Sequence, residues 1–464
     1  MASSEGDRDL RSACERRRAK LAGLLGARPA LIAAGLPRPR NYAANQYPFR
    51  ASSHFLYLFG QPLRGALGVY DGEDFTLYVP DPHPGQALWE GAPPTAEEIA
   101  TATGCPVLPL ARLAAGLRDR EVATVPAPDT ETCLEQSRLL GREIRPGHLD
   151  ARDVPLADAL IALRLQHDEA AIAELRLAAD ATAAAHRAGM AATRPGQPAW
   201  TVRAAMEAQL AARGMTCAYP SIVTPHGEIL HSERSDQVLA DGDLLLADVG
   251  AETRGGWAGD VTRTWPVSGR FSPTQRDLYA LVLEAQRQAI AAVAPGTRYR
   301  DVHRQAAQAL AAGLVDLGIL RGDPIALAEE GVVALLFPHG VGHLLGLDVH
   351  DMEDLGDRAG YAPGRERAAQ FGLSALRLDR DLLAGMAVTI EPGLYLAPAI
   401  LEDPALARLA GDRLNRARLE QFRDVRGIRI EDDVLVTETG RDVLTAAIPK
   451  RPDEIEASVG RTPP

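Results

Sequence analysis

The chain has few cysteines. Cys14, Cys105, Cys133 and Cys217 are the only four in 464 residues, and no two are close neighbours. There is no CxxC pair, so neither a disulfide framework nor a thiolate metal cluster is expected. Such usage fits a reducing compartment. Basic charge is also short: 50 Lys and Arg face 62 Asp and Glu, for a net charge of −12. A nucleic-acid-binding surface usually shows as a basic excess, so nucleic acid is not an expected partner. Long hydrophobic runs are missing too. The nearest, LAGLLGARPALIAAGLP (21–37), is broken by Arg28 and two prolines and is too short to span a bilayer. The opening MASSEGDRDLRSACERRRAK is charged throughout, unlike a secretory signal. The expectation is a cytoplasmic protein with no membrane partner.

What is present is ordinary globular material. Hydrophobic residues make up 46% of the chain, enough for a sizeable core. At roughly 100–200 residues per domain, the length suggests two or three domains. Residues 1–154 alternate strand-like and helix-like segments. ALIAAG (30–35), ALGVYDG (66–72) and DFTLYVP (74–80) read as strands closed by Gly or Pro. PTAEEIATATG (94–104) reads as a helix capped by Thr95, with Glu98 three residues on. This alternation predicts an α/β domain. From Pro155 the chain becomes a long Ala/Leu-rich, helix-forming run to residue 192. It is one helix or two, the second starting near His167–Asp168. A boundary is therefore placed between residues 154 and 155, with a second domain over 155–464.

The second domain repeats itself. Residues 188–214 read as a helix end, a Pro-Gly break, a spacer and a helix stopped by Gly, and residues 289–314 do the same. The Pro-Gly pairs fall at 195–196 and 295–296. After each copy come a His-bearing segment, an apolar strand ending in an acid, and a second acidic strand. The pattern predicts two similar α+β halves around a shared site.

In the first half, Asp248 ends the apolar strand LLLAD and Asp260 opens DVTRTWPV after a Gly-rich turn. Both carboxylates can then face one point, although either alone could be a turn cap or a solvated acid. In the second half, Glu391 ends AVTI and Glu431 lies inside GIRIEDDVLV. Alternation puts Arg429 on the same face as Glu431. A glutamate inside an apolar strand is costly unless paired. Arg429 could pair it but could not neutralise four acids. Buried together, four carboxylates would repel one another and protonate. One or two divalent cations would supply the missing charge. HGVGHLLGLDVHD (339–351) adds His339, His343 and His350. One imidazole with four carboxylates is a hard, oxygen-rich donor set that suits Mn²⁺, with Co²⁺, Zn²⁺ or Fe²⁺ as alternatives. Shared between two ions, such ligands leave positions open for chemistry.

In this order, DVGAE, GDVTRT, HGVGH, VHD, TIEPGLY and GIRIEDD resemble the motifs of the pita-bread-fold metallopeptidases, over roughly residues 165–445. That family includes aminopeptidase P, prolidase and methionine aminopeptidase. PFRASSHFLYLFG (48–60) also resembles part of the leading domain found in aminopeptidase P and prolidase. Methionine aminopeptidases lack that domain. The resemblance implies an α/β N-terminal domain followed by an α+β catalytic domain with an internal pseudo-two-fold repeat. It implies two divalent ions. Asp248 and Asp260 would bind one, His343 and Glu391 the other, and Asp260 and Glu431 would bridge. Glu391 would also serve as general base. His231, in GEILHSERSD, resembles the family histidine that faces the scissile bond. His350 resembles the one that contacts the substrate carbonyl, and Arg429 an arginine that supports the site. His339 would be scaffold more than catalyst.

The implied activity is that of an Xaa-Pro aminopeptidase, which removes the first residue of peptides with proline second. A proline dipeptidase acting on Xaa-Pro dipeptides remains the alternative, and a family member without peptidase action is a third reading. A homodimer or homotetramer is the implied assembly. Three features depart from the family pattern. HSERSD stands where relatives more often show HY.EN. Asp248 and Asp260 are twelve apart, where relatives usually show eleven. The extra residue is expected in the turn near Gly255 and Gly256. Within a strand it would reverse which side chains face the site. The third is the long segment 351–385, a candidate lid or interface arm.

Overall fold

The apolar tetrapeptide ALIA forms a strand buried at every position (β1, Ala30–Ala33). The computed structural model describes residues 5–113, 117 and 120–461, so the first four residues of the charged N-terminal stretch lie outside it. β1 is followed by β2 (Leu67–Tyr70), β3 (Phe75–Val79), β4 (Val107–Pro109) and β5 (Ala123–Thr124), in the sheet order β4-β3-β2-β1-β5. β1/β2 and β2/β3 pair antiparallel, while β3/β4 and β1/β5 pair parallel. The three strands expected from sequence are thus present. So is the helix Ala96–Thr103, whose Thr95 cap and Glu98 form a capping box.

The run from 155 onward is two helices, Val154–Arg164 and Glu169–Ala192. Contacts divide the chain into two compact units, Met1–Ala170 with Met352–Ala359, and Ala171–Asp351 with Gly360–Pro464. The division falls later than the change in composition because helix Val154–Arg164 packs on the first helix, Glu5–Leu25. Within the first unit, His54 joins two charges. Arg164 donates to its Nδ1 (2.9 Å), so Nε2 carries the proton and donates to Asp354 (3.0 Å). His54 is buried. Burial acts to raise the Asp354 carboxyl, but His54 and Arg164 outweigh it and hold the group at about 2.

The second unit shows its repeat in its hydrogen bonds. Gly196 and Gly296 both take a left-handed conformation, with φ of 84° and 82°, which glycine adopts without strain. The Gly196 amide donates to Leu239, and the Leu239 amide returns a bond to Gln197. The Gly296 amide donates to Leu382, and Leu382 returns one to Thr297. The first half then supplies β6 (Ile222–Thr224), β7 (Leu244–Asp248) and β8 (Thr262–Pro266), in the sheet order β8-β7-β6. The second supplies β9 (Ala387–Ile390), β10 (Gly393–Tyr395), β11 (Gly427–Arg429), β12 (Asp432–Val436) and β13 (Arg441–Val443). Here β9-β12-β13 form one sheet and β10-β11 a two-stranded ribbon. The central strands β7, β8, β9 and β12 are buried throughout, which explains the apolar runs of β7 and β9. Among the described residues, no helix is long and apolar enough to cross a membrane. All four cysteines are free thiols.

Candidate metal centre

Asp248 is the last residue of β7 and pairs with Thr262 of β8. The same register continues past the strands. Val249 bonds to Val261, Gly259 to Ala251, and Thr253 to Trp257. The ladder is unbroken up to the tip at residues 254–256, so the extra residue lies in the turn and both acids keep their facing. Gly250 is required here, because a Cβ would come within 1.8 Å of the Gly259 carbonyl oxygen.

Glu391 and Glu431 sit at a break in a second hairpin. β9 pairs with β12 up to Ile390 and Asp432, and β10 resumes with β11 at Gly393 and Arg429 in the same register. The two glutamates therefore face each other across an interruption at Pro392. The Glu431 carboxylate accepts from the Thr262 hydroxyl (2.7 Å), and its amide donates to the Thr262 carbonyl (3.0 Å). This bond joins the two halves. His343 is tied to β9: its amide donates to the Thr389 hydroxyl (3.1 Å). Gly342 before it leaves no room for a Cβ, which would meet the Thr389 carbonyl oxygen at 2.2 Å.

The His343 Nδ1 donates to its neighbour's carbonyl, that of Leu344 (3.0 Å), leaving Nε2 toward the acids. Nε2 lies 3.3 Å from Asp260 and 3.6 Å from Glu391. The His350 ring stacks on His343 at 3.9 Å. Donor atoms of Asp260, His343 and Glu431 all lie within 4.8 Å of one another. Asp248, Glu391, His231, His339, His350 and Arg429 line the same pocket. Every residue singled out from sequence thus reaches one cavity. Ala375 and Arg377 line it as well, so part of segment 351–385 is pocket wall. Another part, Met352–Ala359, belongs to the first unit.

The charges here conflict. Burial and the facing acids Asp260, Glu391 and Asp248 push the Glu431 carboxyl well above its ordinary value. Burial pushes Glu391 up to about 7, against the pull of His343 and Arg429. Burial also raises Asp248, though Arg429 opposes it. Burial would depress His343, but Asp260 and Glu391 outweigh it and raise the imidazole to about 9. His343 in turn holds Asp260 below its usual value despite burial. A proton on His343 thus does part of what a cation would do. Three buried carboxylates, the part-buried Glu391 and one imidazole presented through Nε2 are a fitting donor set for divalent ions.

Several supporting groups were not legible in sequence. The Tyr219 hydroxyl donates to one Asp248 oxygen (2.5 Å) and Arg429 to the other (2.6 Å). Arg429 also donates to the Thr262 hydroxyl (2.8 Å) and to Tyr395 (3.2 Å). His339 donates through Nδ1 to the Gly340 carbonyl (2.7 Å) and accepts at Nε2 from Tyr395 (2.8 Å). Burial, then Arg429, depresses it to about 3. Both ring nitrogens are committed, as suits scaffold. Burial and Arg429 also lower His231, keeping it neutral. Asp433 accepts from the Asp260 amide (3.1 Å). Tyr395 ends the TIEPGLY motif, whereas Tyr219 has no distinguishing sequence context.

The sequence profile of metallopeptidase family M24 matches residues 173–438, and that of the aminopeptidase P N-terminal domain matches residues 14–123. The Xaa-Pro aminopeptidase 2 of Streptomyces coelicolor is 34% identical over 437 residues, which is 89% of this chain and 84% of that protein. The structure is similar to that of Pseudomonas aeruginosa aminopeptidase PepP, with a TM-score of 0.80, 29% identity and 97% of each chain covered. It is also similar to a variant of Escherichia coli aminopeptidase P solved with substrate, with a TM-score of 0.79, 30% identity and coverage of 97% and 98%. The chain therefore belongs to metallopeptidase family M24, and within it to the aminopeptidase P family.

Proposed function

We infer that the chain is an Xaa-Pro aminopeptidase, a metallo-exopeptidase that removes the N-terminal residue from peptides with proline second. The observation that carries this reading is the convergence of Asp260, His343 and Glu431 in a pocket also lined by Asp248 and Glu391. The chain is similar to relatives that bear that activity in their names. Asp248 and Asp260 would hold one divalent ion, His343 and Glu391 a second, and Asp260 and Glu431 would bridge them. The oxygen-rich set favours Mn²⁺. Such a pair supplies Lewis acidity and lowers the pKa of water at the site.

The chain's own groups supply the rest. Glu391 presents a carboxylate at the pocket wall, the kind of side chain that serves as a general base. It takes the proton of the attacking water and passes it to the proline nitrogen as the peptide bond breaks. His231, neutral, and His350, stacked on His343, stand at the pocket to donate hydrogen bonds to the carbonyl oxygen as charge develops there. Arg429 holds Asp248 and keeps a fixed positive charge beside the acids. Proline fixes φ and lacks an N–H, so the leaving group is a tertiary amide nitrogen that must be protonated on departure. The substrate's free amine is attracted to the acids, which favours cleavage at the first bond.

The test is a length series with Mn²⁺ added: Xaa-Pro dipeptides, Xaa-Pro-Yaa tripeptides and longer peptides. Hydrolysis of tripeptides and longer substrates supports the reading. Hydrolysis of dipeptides alone replaces it with a proline dipeptidase. A homodimer or homotetramer in the cytoplasm is the setting this reading takes.

A further inference from the structure

Arg263 has no part in the chemistry above, yet its side chain is wholly buried. It lies on β8, three residues after Asp260. Alternation sends Thr262 and Thr264 to one side of the strand and Arg263 to the other. Thr262 touches the Glu431 carboxylate from the pocket side. Arg263 reaches the same segment from behind. Its guanidinium donates to the Thr262 carbonyl (3.0 Å), the Glu431 carbonyl (2.5 Å) and the Asp432 carboxylate (2.7 Å). It also reaches the carbonyls of Pro449 (3.1 Å) and Ile448 (3.4 Å). Asp432 is fixed in its turn by Lys450 (2.5 Å), Gln286 (2.8 Å) and the Thr445 hydroxyl (2.8 Å).

A buried ion pair is a costly way to hold two strands together. The amide of Glu431 already bonds to Thr262, so simple adhesion needs no arginine. What the guanidinium adds is rigidity, since it is a planar fork with donors in fixed directions. Its Nη1 grips two carbonyls at once, that of Thr262, two residues after Asp260, and that of Glu431. Asp260 and Glu431 come from opposite halves of the repeat, and they are the two residues that must bridge both ions.

We propose that Arg263, anchored by Asp432 and Lys450, is a positioning residue that sets the separation of the Asp260 and Glu431 carboxylates. The inference rests on the metal reading of the pocket. It makes the C-terminal segment 445–450 part of the site's support, although none of its residues lines the pocket.

The test replaces Arg263 by lysine, which keeps the charge and loses the fork. Mn²⁺ binding is titrated to wild type and Arg263→Lys, and the spin-coupled signal of a bridged pair is followed by electron paramagnetic resonance. Supporting partners of metal ligands typically change affinity by about 10–100-fold. Arg263→Lys should bind the pair about that much more weakly and lose the coupled signal while its circular dichroism stays native. Should Arg263→Lys not fold, Asp432→Asn removes the anchor, and the same loss is expected. A folded variant with both affinities within about twofold of wild type and an intact coupled signal would overturn the proposal, even if it melted earlier. Arg263 would then be a staple for stability alone. Wild type that takes up no Mn²⁺ would instead overturn the metal reading, and this inference with it.

Discussion

Glu391→Gln should act in opposite directions on the stripped and the loaded protein. Without ions, burial raises the Glu391 carboxyl from an ordinary 4.5 to about 7. A raised carboxylate pKa gives stability that is full below the unfolded value of 4.5. That stability is lost as pH rises through 7. The rise from 4.5 to about 7, at about 1.36 kcal/mol per pH unit, corresponds to about 3 kcal/mol above pH 7. Part is offset, because Glu391 also helps hold the proton on His343. The net gain for Glu391→Gln is about 1–2 kcal/mol, or roughly 1–3 °C in melting temperature. The assay is thermal unfolding by circular dichroism after chelation, at pH 4.5 and pH 8. Stripped Glu391→Gln should melt above stripped wild type at pH 8 and alongside it at pH 4.5. With Mn²⁺ added the order should reverse, since wild type gains from binding and the variant has lost a ligand. Equal melting of the stripped proteins at pH 8 would refute the idea that crowded negative charge strains this pocket.

Asp260→Asn should lose bound Mn²⁺ and slow Xaa-Pro hydrolysis by more than about 100-fold, beyond what loss of a supporting partner costs; full metal content with full activity rules out its bridging role. Ion binding must displace the proton that Asp260 and Glu391 hold on His343 up to about pH 9. Apparent Mn²⁺ affinity should therefore climb about tenfold per pH unit for each proton displaced between pH 7 and 9. Titration in two buffers of different ionisation enthalpy counts those protons, and a flat profile refutes the displacement. In the first unit, His54→Ala removes the group that Arg164 and Asp354 share. It should cost about 1–3 kcal/mol in denaturant unfolding, and an unchanged midpoint would show the relay to be idle.

Much of the centre could be read from sequence because its acids stand at the ends of apolar strands. LLLAD and AVTI announce buried strands, and a carboxylate directly after such a run needs a partner. The paired Pro-Gly breaks made the repeat visible, and Gly255 and Gly256 marked the turn that absorbs the extra residue. The supporting groups were hidden for an equally physical reason. Arg263 and Asp432 lie 169 residues apart, and alternation alone does not tell a buried arginine from an exposed one. Glu431, Asp432 and Asp433 are consecutive and all buried, yet the first accepts from the Thr262 hydroxyl, the second clamps Arg263 and the third accepts from the Asp260 amide. One pattern of three acids could not reveal three destinations. The grouping of residues 352–359 with the first unit was equally invisible, since nothing in their composition differs from their flanks.

That grouping bears on how the protein can be taken apart. The backbone passes between units at Ala170–Ala171 and again on either side of Met352–Ala359. A fragment stopping at Ala170 would lack Asp354, and so would leave His54 without its carboxylate. A recombinant leading domain would need that octapeptide grafted back or supplied in trans to restore the His54–Asp354 contact.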